Sequence, residues 1–83
     1  MALFMDVHTM GGPVGLTDVE QAHAADLRTQ ERYGVSYLRY WVDQEQGKVF
    51  CLVEAPDADA AVSVHQEAHG LVADAIFAVA EGS

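Results

Sequence analysis

The stretch Glu31-Arg32-Tyr33-Gly34-Val35-Ser36-Tyr37-Leu38-Arg39-Tyr40-Trp41-Val42, followed by Asp43-Gln44-Glu45-Gln46-Gly47 and Lys48-Val49-Phe50-Cys51-Leu52-Val53, decides the fold. Its first residues end a helix. Gly34 tolerates the left-handed conformation that closes one, and the apolar Val35 just beyond is the usual packing partner of such a stop. Val35 to Val42 and Val49 to Val53 are rich in β-branched and aromatic residues, and the five residues from Asp43 to Gly47 between them are turn formers. Two strands joined as a hairpin follow. Upstream, residues 2 to 8 carry Phe4, Met5 and Val7 in a run too short for a helix, and Gly11, Gly12, Pro13 and Gly15 break that strand. Thr17-Asp18-Val19-Glu20 then has the form of a capping box at a helix start. Downstream, Asp57 is an N-cap candidate, Ala58 to His69 a second helix, and Gly70-Leu71 repeats the Gly34-Val35 stop before a last strand from Val72 to Val79.

Each half of the chain thus reads strand, helix, glycine stop, strand. Right-handed crossovers then give one α+β domain over residues 1–83: a ferredoxin-like βαββαβ sandwich, a four-stranded antiparallel sheet with two helices on one face. The opposite face needs its own cover. If Leu3, Met5 and Val7 face the helices, strict alternation turns Phe4, Asp6 and His8 outward, together with Tyr37, Arg39, Trp41, Phe50, Leu52 and Glu54. That much apolar surface predicts a homodimer stacking two sheets as a dimeric α+β barrel, with Arg39 opposite Glu54 or Asp6.

The 83 residues are 51% hydrophobic, with 13 Asp and Glu against 4 Lys and Arg, a formal charge of −9 and a pI near 4.4. That is the composition of a packed domain, and so few basic residues argue against nucleic acid or an anionic membrane as partner. A lone Cys51 precludes an internal disulfide, and the apolar start is halted at Asp6, too early for a signal peptide or a membrane span. The expected location is cytoplasmic.

Four histidines are many for a small acidic chain, and the topology gathers them at one end. His65 and His69, four apart on a helix, form a two-point grip on a cation, with His8 on the first strand and His23 on the first helix as candidates for a third. Asp6 shares a strand face with His8. The expected metal ligands are therefore Asp6, His8, His23, His65 and His69. Each has a plainer reading beside it: His23 lies between Val19 and Leu27 and His65 between Val62 and Ala68 on apolar stripes, while His69 next to Gly70 is placed to satisfy terminal carbonyls. The order His-Gln-Glu-Ala-His is not the His-Glu-x-x-His of zinc proteases. Cys51 reads as a buried thiol rather than a ligand, and Tyr33, Tyr37, Tyr40 and Trp41 as packing. Asp18, Asp26, Glu31, Asp57 and Asp59 read mostly as a solvated helical surface. No phosphate loop or nucleophile motif is present.

Met5-Asp6-Val7-His8, Ala22-His23-Ala24-Ala25-Asp26-Leu27, Glu31-Arg32-Tyr33-Gly34-Val35, Tyr37-Leu38-Arg39-Tyr40-Trp41, Phe50-Cys51-Leu52-Val53-Glu54-Ala55-Pro56 and His65-Gln66-Glu67-Ala68-His69-Gly70-Leu71 together resemble the small bacterial nickel-binding, nickel-responsive proteins. The likeness spans nearly the whole chain. It implies a ferredoxin-like fold paired into dimers, Ni²⁺ as the bound ion, and a role in sequestering or detoxifying it. The loop Thr9-Met10-Gly11-Gly12-Pro13-Val14 beside His8 has no counterpart in that resemblance. The leading expectation is therefore a homodimer that binds a divalent transition metal, nickel first, without catalysis. The alternatives are a dimeric α+β-barrel enzyme or small-molecule binder using the sheet-lined cleft, with Asp6 or His8 as acid or base and Trp41 as a wall, and a plain interaction module.

Overall fold

The computed structural model describes residues 2–82. Strands β1 (Ala2–Thr9), β2 (Ser36–Asp43), β3 (Lys48–Ala55) and β4 (Ala75–Ala78) form one sheet in the order β2-β3-β1-β4, every neighbouring pair antiparallel. Helices α1 (Leu16–Thr29) and α2 (Ala58–Ala68) connect them as expected for a ferredoxin-like sandwich. Where local chemistry is strong, the elements sit where the sequence put them. Asp57 caps α2 by accepting from the Ala60 N–H at 2.9 Å. Gly34 takes φ +67° behind a short 3-10 turn from Gln30 to Tyr33 that prolongs α1, and Gly70 takes φ +76° behind α2.

Four local expectations change. Helix α1 begins at Leu16 behind an extended Gly15 without any side-chain cap, so the Thr17 capping box is not formed; Thr17 lies inside the first turn. The last strand is shorter than Val72 to Val79, because Asp74 turns its carboxylate onto the Thr9 N–H at 2.6 Å and pairing starts only at Ala75. Most consequential, β1 is turned over. Asp6 and His8 face the helices at 1% and 6% exposure, and Leu3, Met5 and Val7 face the other way. The hydropathy pattern misleads there because the two polar side chains have charged and hydrogen-bonding partners waiting inside.

Tyr37 is a second reversal. A register shift between Tyr37 and Arg39 leaves Leu38 as an extra residue, so Tyr37 and Tyr40 both face inward while Arg39 and Trp41 face outward. Such a bulge breaks period-two alternation. Phe50, Leu52 and Glu54 stay outward as expected, opposite Val49, Cys51, Val53 and Ala55, which join Val35, Ala61 and Val64 in the core.

The loop after β1 is tied down. Met10 N–H donates to Gly47 O at 2.8 Å and Val14 N–H to Gln44 O at 3.0 Å, fixing the loop on the β2–β3 turn. Gly47 has φ +70°, and a Cβ there would fall 1.8 Å from Gly12 O. Gly47→Ala should therefore destabilise by well over 1 kcal/mol (about 4–8 °C in Tm for each kcal/mol), whereas Gly11→Ala, equally left-handed but in open space, should cost about 1 kcal/mol at most. Thermal unfolding of the two variants checks the close approach, and equal losses would contradict it.

Candidate metal centre

Four elements send polar side chains into one pocket between sheet and helices. Asp6 and His8, two apart on β1, share its inner face because strand side chains alternate. His65 lies on α2 and His69 caps that helix one turn later, so the two rings are neighbours, with centroids 5.0 Å apart. Asp26 comes from α1 and Cys51 from β3. Asp6, His8, Asp26, Cys51 and His65 are all buried. Groups of this kind are rarely so buried unless paired.

His65 is the hub of the pairing. Its Nδ1 lies 2.8 Å from Asp26 Oδ1 and its Nε2 3.0 Å from Asp6 Oδ2. His8 Nε2 faces His65 Nε2 at 3.3 Å and lies 3.2 Å from Asp6 Oδ1. The Tyr37 hydroxyl donates to Asp6 Oδ2 at 2.9 Å, with the Ala61 carbonyl at 3.2 Å as the competing acceptor for its single proton. His69 accepts the Leu71 N–H on Nδ1 at 3.0 Å, and its Nε2 comes to 3.0 Å from Asp26 Oδ1. Two buried atoms nevertheless have no aligned hydrogen-bond partner: Asp6 Oδ1 and His69 Nε2.

A carboxylate with one oxygen lacking an aligned donor, and with the His8 and His65 nitrogens each beside one of its two oxygens, is a donor set suited to a cation. Ligand atoms of Asp6, His8, Cys51 and His65 all lie within 4.8 Å of one another, as do those of Asp26, His65 and His69. A first-row divalent ion with bonds of roughly 2.0–2.1 Å holds adjacent ligands roughly 3 Å apart. Contacts of 3.0, 3.2 and 3.3 Å among Asp6, His8 and His65 match that spacing. The cavity beside them has a volume of about 70 Å³, room for an ion with a few waters.

Of the five expected ligands, the structure brings Asp6, His8 and His65 into direct contact and sets His69 one carboxylate away, across Asp26. His23 lines the same cavity but belongs to neither group of converging donors; its ring packs on Tyr40 with centroids 4.7 Å apart. Asp26 overturns the reading of a solvated helical surface, for it is 2% exposed. Its place one helical turn after His23, on the stripe with Val19, was the signal available. Cys51 is the buried thiol expected, yet its sulfur stands among the ligand atoms. Tyr37 was hidden by the bulge.

The sequence profile of the nickel responsive proteins described as SCO4226-like matches residues 4–79. The chain belongs to this family. A crystal structure of the SCO4226 protein of Streptomyces coelicolor A3(2) superposes on this SCO4226-like chain with a TM-score of 0.92 at 36% identity, covering 99% of this chain and 100% of that one. No curated protein sequence matches significantly.

In this SCO4226-like pocket the charges lock one another. Burial alone would lower the His65 pKa, but hydrogen bonds to Asp26 and Asp6 and their negative charge outweigh it and hold the imidazolium up to about 9. Burial likewise opposes the Asp6 carboxylate, yet His65 and His8 keep it well below the usual carboxylate range. Burial pushes the His69 and His23 rings below the ordinary histidine value, and burial together with Asp6 raises the Cys51 thiol and the Tyr37 phenol, so both stay protonated.

A histidine with a folded pKa above its unfolded 6.5 gives stability that is complete below 6.5 and lost as pH rises to about 9. Asp6 gives stability above its ordinary 3.8 that is lost as pH falls, and the depressed His23 and His69 also weaken folding below 6.5. The metal-free protein in chelator should therefore lose Tm between pH 6.5 and 9 and again under acid. A Tm that does not change across the alkaline window would contradict a charged His65 between two carboxylates.

Proposed function

We propose that this protein binds Ni²⁺ in the pocket between sheet and helices and thereby sequesters or detoxifies it. The observation that carries the reading is the buried convergence of Asp6, His8 and His65, with Asp6 Oδ1 lacking an aligned donor. Membership of a nickel-responsive family points to the same ion, and nickel accepts imidazole nitrogen and carboxylate oxygen together. Asp6, His8 and His65 hold the ion in this reading, with the Cys51 sulfur in reach. His69 and His23 flank them. Binding requires His65 and His8 to be free of protons at the ligating nitrogens, so affinity rises with pH.

The reading as an enzyme or small-molecule binder has less support: the pocket beside Asp6 and His8 has only about 70 Å³, far below the roughly 300 Å³ at which organic-ligand sites begin, and Trp41, its expected wall, lies on the opposite face of the sheet. The working unit we infer is a cytoplasmic homodimer. Its support is the outer sheet face, where Trp41 and Phe77 are about half exposed and Leu3, Met5, Leu38 and Leu52 line a groove of about 470 Å³. Among the described residues no helix is long and apolar enough to cross a membrane.

Calorimetry should show nickel binding to the wild type and its loss in a His8→Ala, His65→Ala double variant. Wild-type protein that takes up no nickel would end the metal reading, and a double variant of unchanged affinity would end its ligand assignment. Nickel at a hundredfold excess over Kd should add about 2.7 kcal/mol, a Tm rise on the order of 10–20 °C that chelator reverses. In sedimentation, the wild type should run as a dimer and Trp41→Asp as a monomer; a monomeric wild type refutes the pairing.

A further inference from the structure

Helices and strands supply most of the wall of the pocket between sheet and helices, and two loops complete it. Met10 and Val14 come from one loop and Leu71 from the other. The first loop is pinned along its length: the N–H groups of Met10 and Val14 donate to the β2–β3 turn at 2.8 and 3.0 Å, and Gly12 lies against Gly47. The second, residues 70–74, is held at its ends. Gly70 N–H donates to His65 O at 2.9 Å and Asp74 N–H to Val7 O at 2.9 Å, while the Asp74 carboxylate accepts the Thr9 N–H at 2.6 Å. Between these anchors no N–H or C=O of Leu71, Val72 or Ala73 bonds to other backbone among the described residues. One bond remains there, from the Leu71 N–H to His69 Nδ1 at 3.0 Å.

A segment with two firm ends and an unpaired middle opens at lower cost than the sheet beside it. Gly70, at φ +76° with nothing within 4 Å of where a Cβ would stand, is free to turn as a hinge. Leu71 contributes to the pocket wall although it is 45% exposed, and Val72 beside it is 40% exposed, so neither is locked into the core. Lifting the strap removes one side of the pocket and, in the same movement, breaks the bond that orients the His69 ring. Behind it stand His8, Cys51 and His65, all buried.

We propose that residues 70–74 form a gating strap, hinged at Gly70 and latched by Asp74 on Thr9, whose opening admits solvent and small molecules to the buried acid and histidine cluster. The latch sets the open population because its carboxylate contact is given up when the strap lifts, while the sheet stays paired. Leu71 is the plug. The strap acts in the same way whatever the pocket holds, so it does not depend on the metal reading.

Cys51, the chain's single thiol, lines the pocket and reports on access. The full chain, in chelator, is treated with methyl methanethiosulfonate, which converts the thiol to its methyl disulfide and releases methanesulfinate, while hydrogen exchange of the β3 amides follows global opening. Labelling should run faster than β3 exchange permits, rise about tenfold in Asp74→Ala, and return toward the wild-type rate in Asp74→Asn, whose amide oxygen still accepts the Thr9 N–H. Exchange in β3 should change less than labelling does. Leu71→Ala, which removes the plug and keeps the latch, should speed labelling while the amides of residues 70–73 exchange near their wild-type rates. Labelling that keeps pace with β3 exchange would overturn the proposal, since Cys51 would then be reached only through global unfolding. Labelling unchanged in Asp74→Ala would overturn it as well. The wild-type comparison needs no variant, so it decides the matter even if Asp74→Ala does not fold, and with no nickel present its outcome is separate from that of metal binding.

Discussion

The bridge that His65 makes between Asp6 and Asp26 is the constraint around which the domain is arranged. It joins α2 to β1 through one nitrogen and to α1 through the other, in contacts of 3.0 and 2.8 Å. Neither carboxylate could be kept so dry without it, because an unpaired buried charge costs several kcal/mol. Replacing such a cluster by hydrocarbon is often neutral or stabilising, so stability alone does not account for it. What it supplies is position. Three elements that the apolar core holds only by shape are brought into register by directional contacts, and the core around them can stay small: Val53, Ala55, Ala61 and Val64 are fully buried, and among the described residues His65 is the one larger side chain buried to a comparable degree.

The order of elements was legible because it is written in local chemistry. Glycines at positions 34 and 70, the Asp57 cap and the turn formers between β2 and β3 act within a few residues of themselves, and all appear where expected. The gathering of histidines at one end was legible too, since it follows from topology and helix spacing. What failed was facing. Hydropathy alone assigns Leu3, Met5 and Val7 to the core, and only knowledge of the partners on α1 and α2 makes the opposite choice favourable for Asp6 and His8. The same blindness hid Asp26: a carboxylate on a helix looks solvated until the imidazole that pairs with it is known to stand opposite.

A further limit concerns roles rather than places. Spacing shows that His65 and His69 are neighbours, but it does not show that the amide of Leu71 occupies one nitrogen of the second ring. Residues of the same type, one turn apart, therefore differ in what they can offer. Backbone hydrogen bonds to side chains are the layer of information that a pattern of residue types leaves out.

The extra residue at Leu38 has a wider meaning. By slipping the pairing by one position, it lets a single strand present Tyr37 and Tyr40 to the interior and Arg39 and Trp41 to the outside. The strand thus serves as two half-ladders with opposite parity. The phenol that steadies Asp6 lies before the slip and the indole on the far surface after it, so the parity of one does not fix the parity of the other.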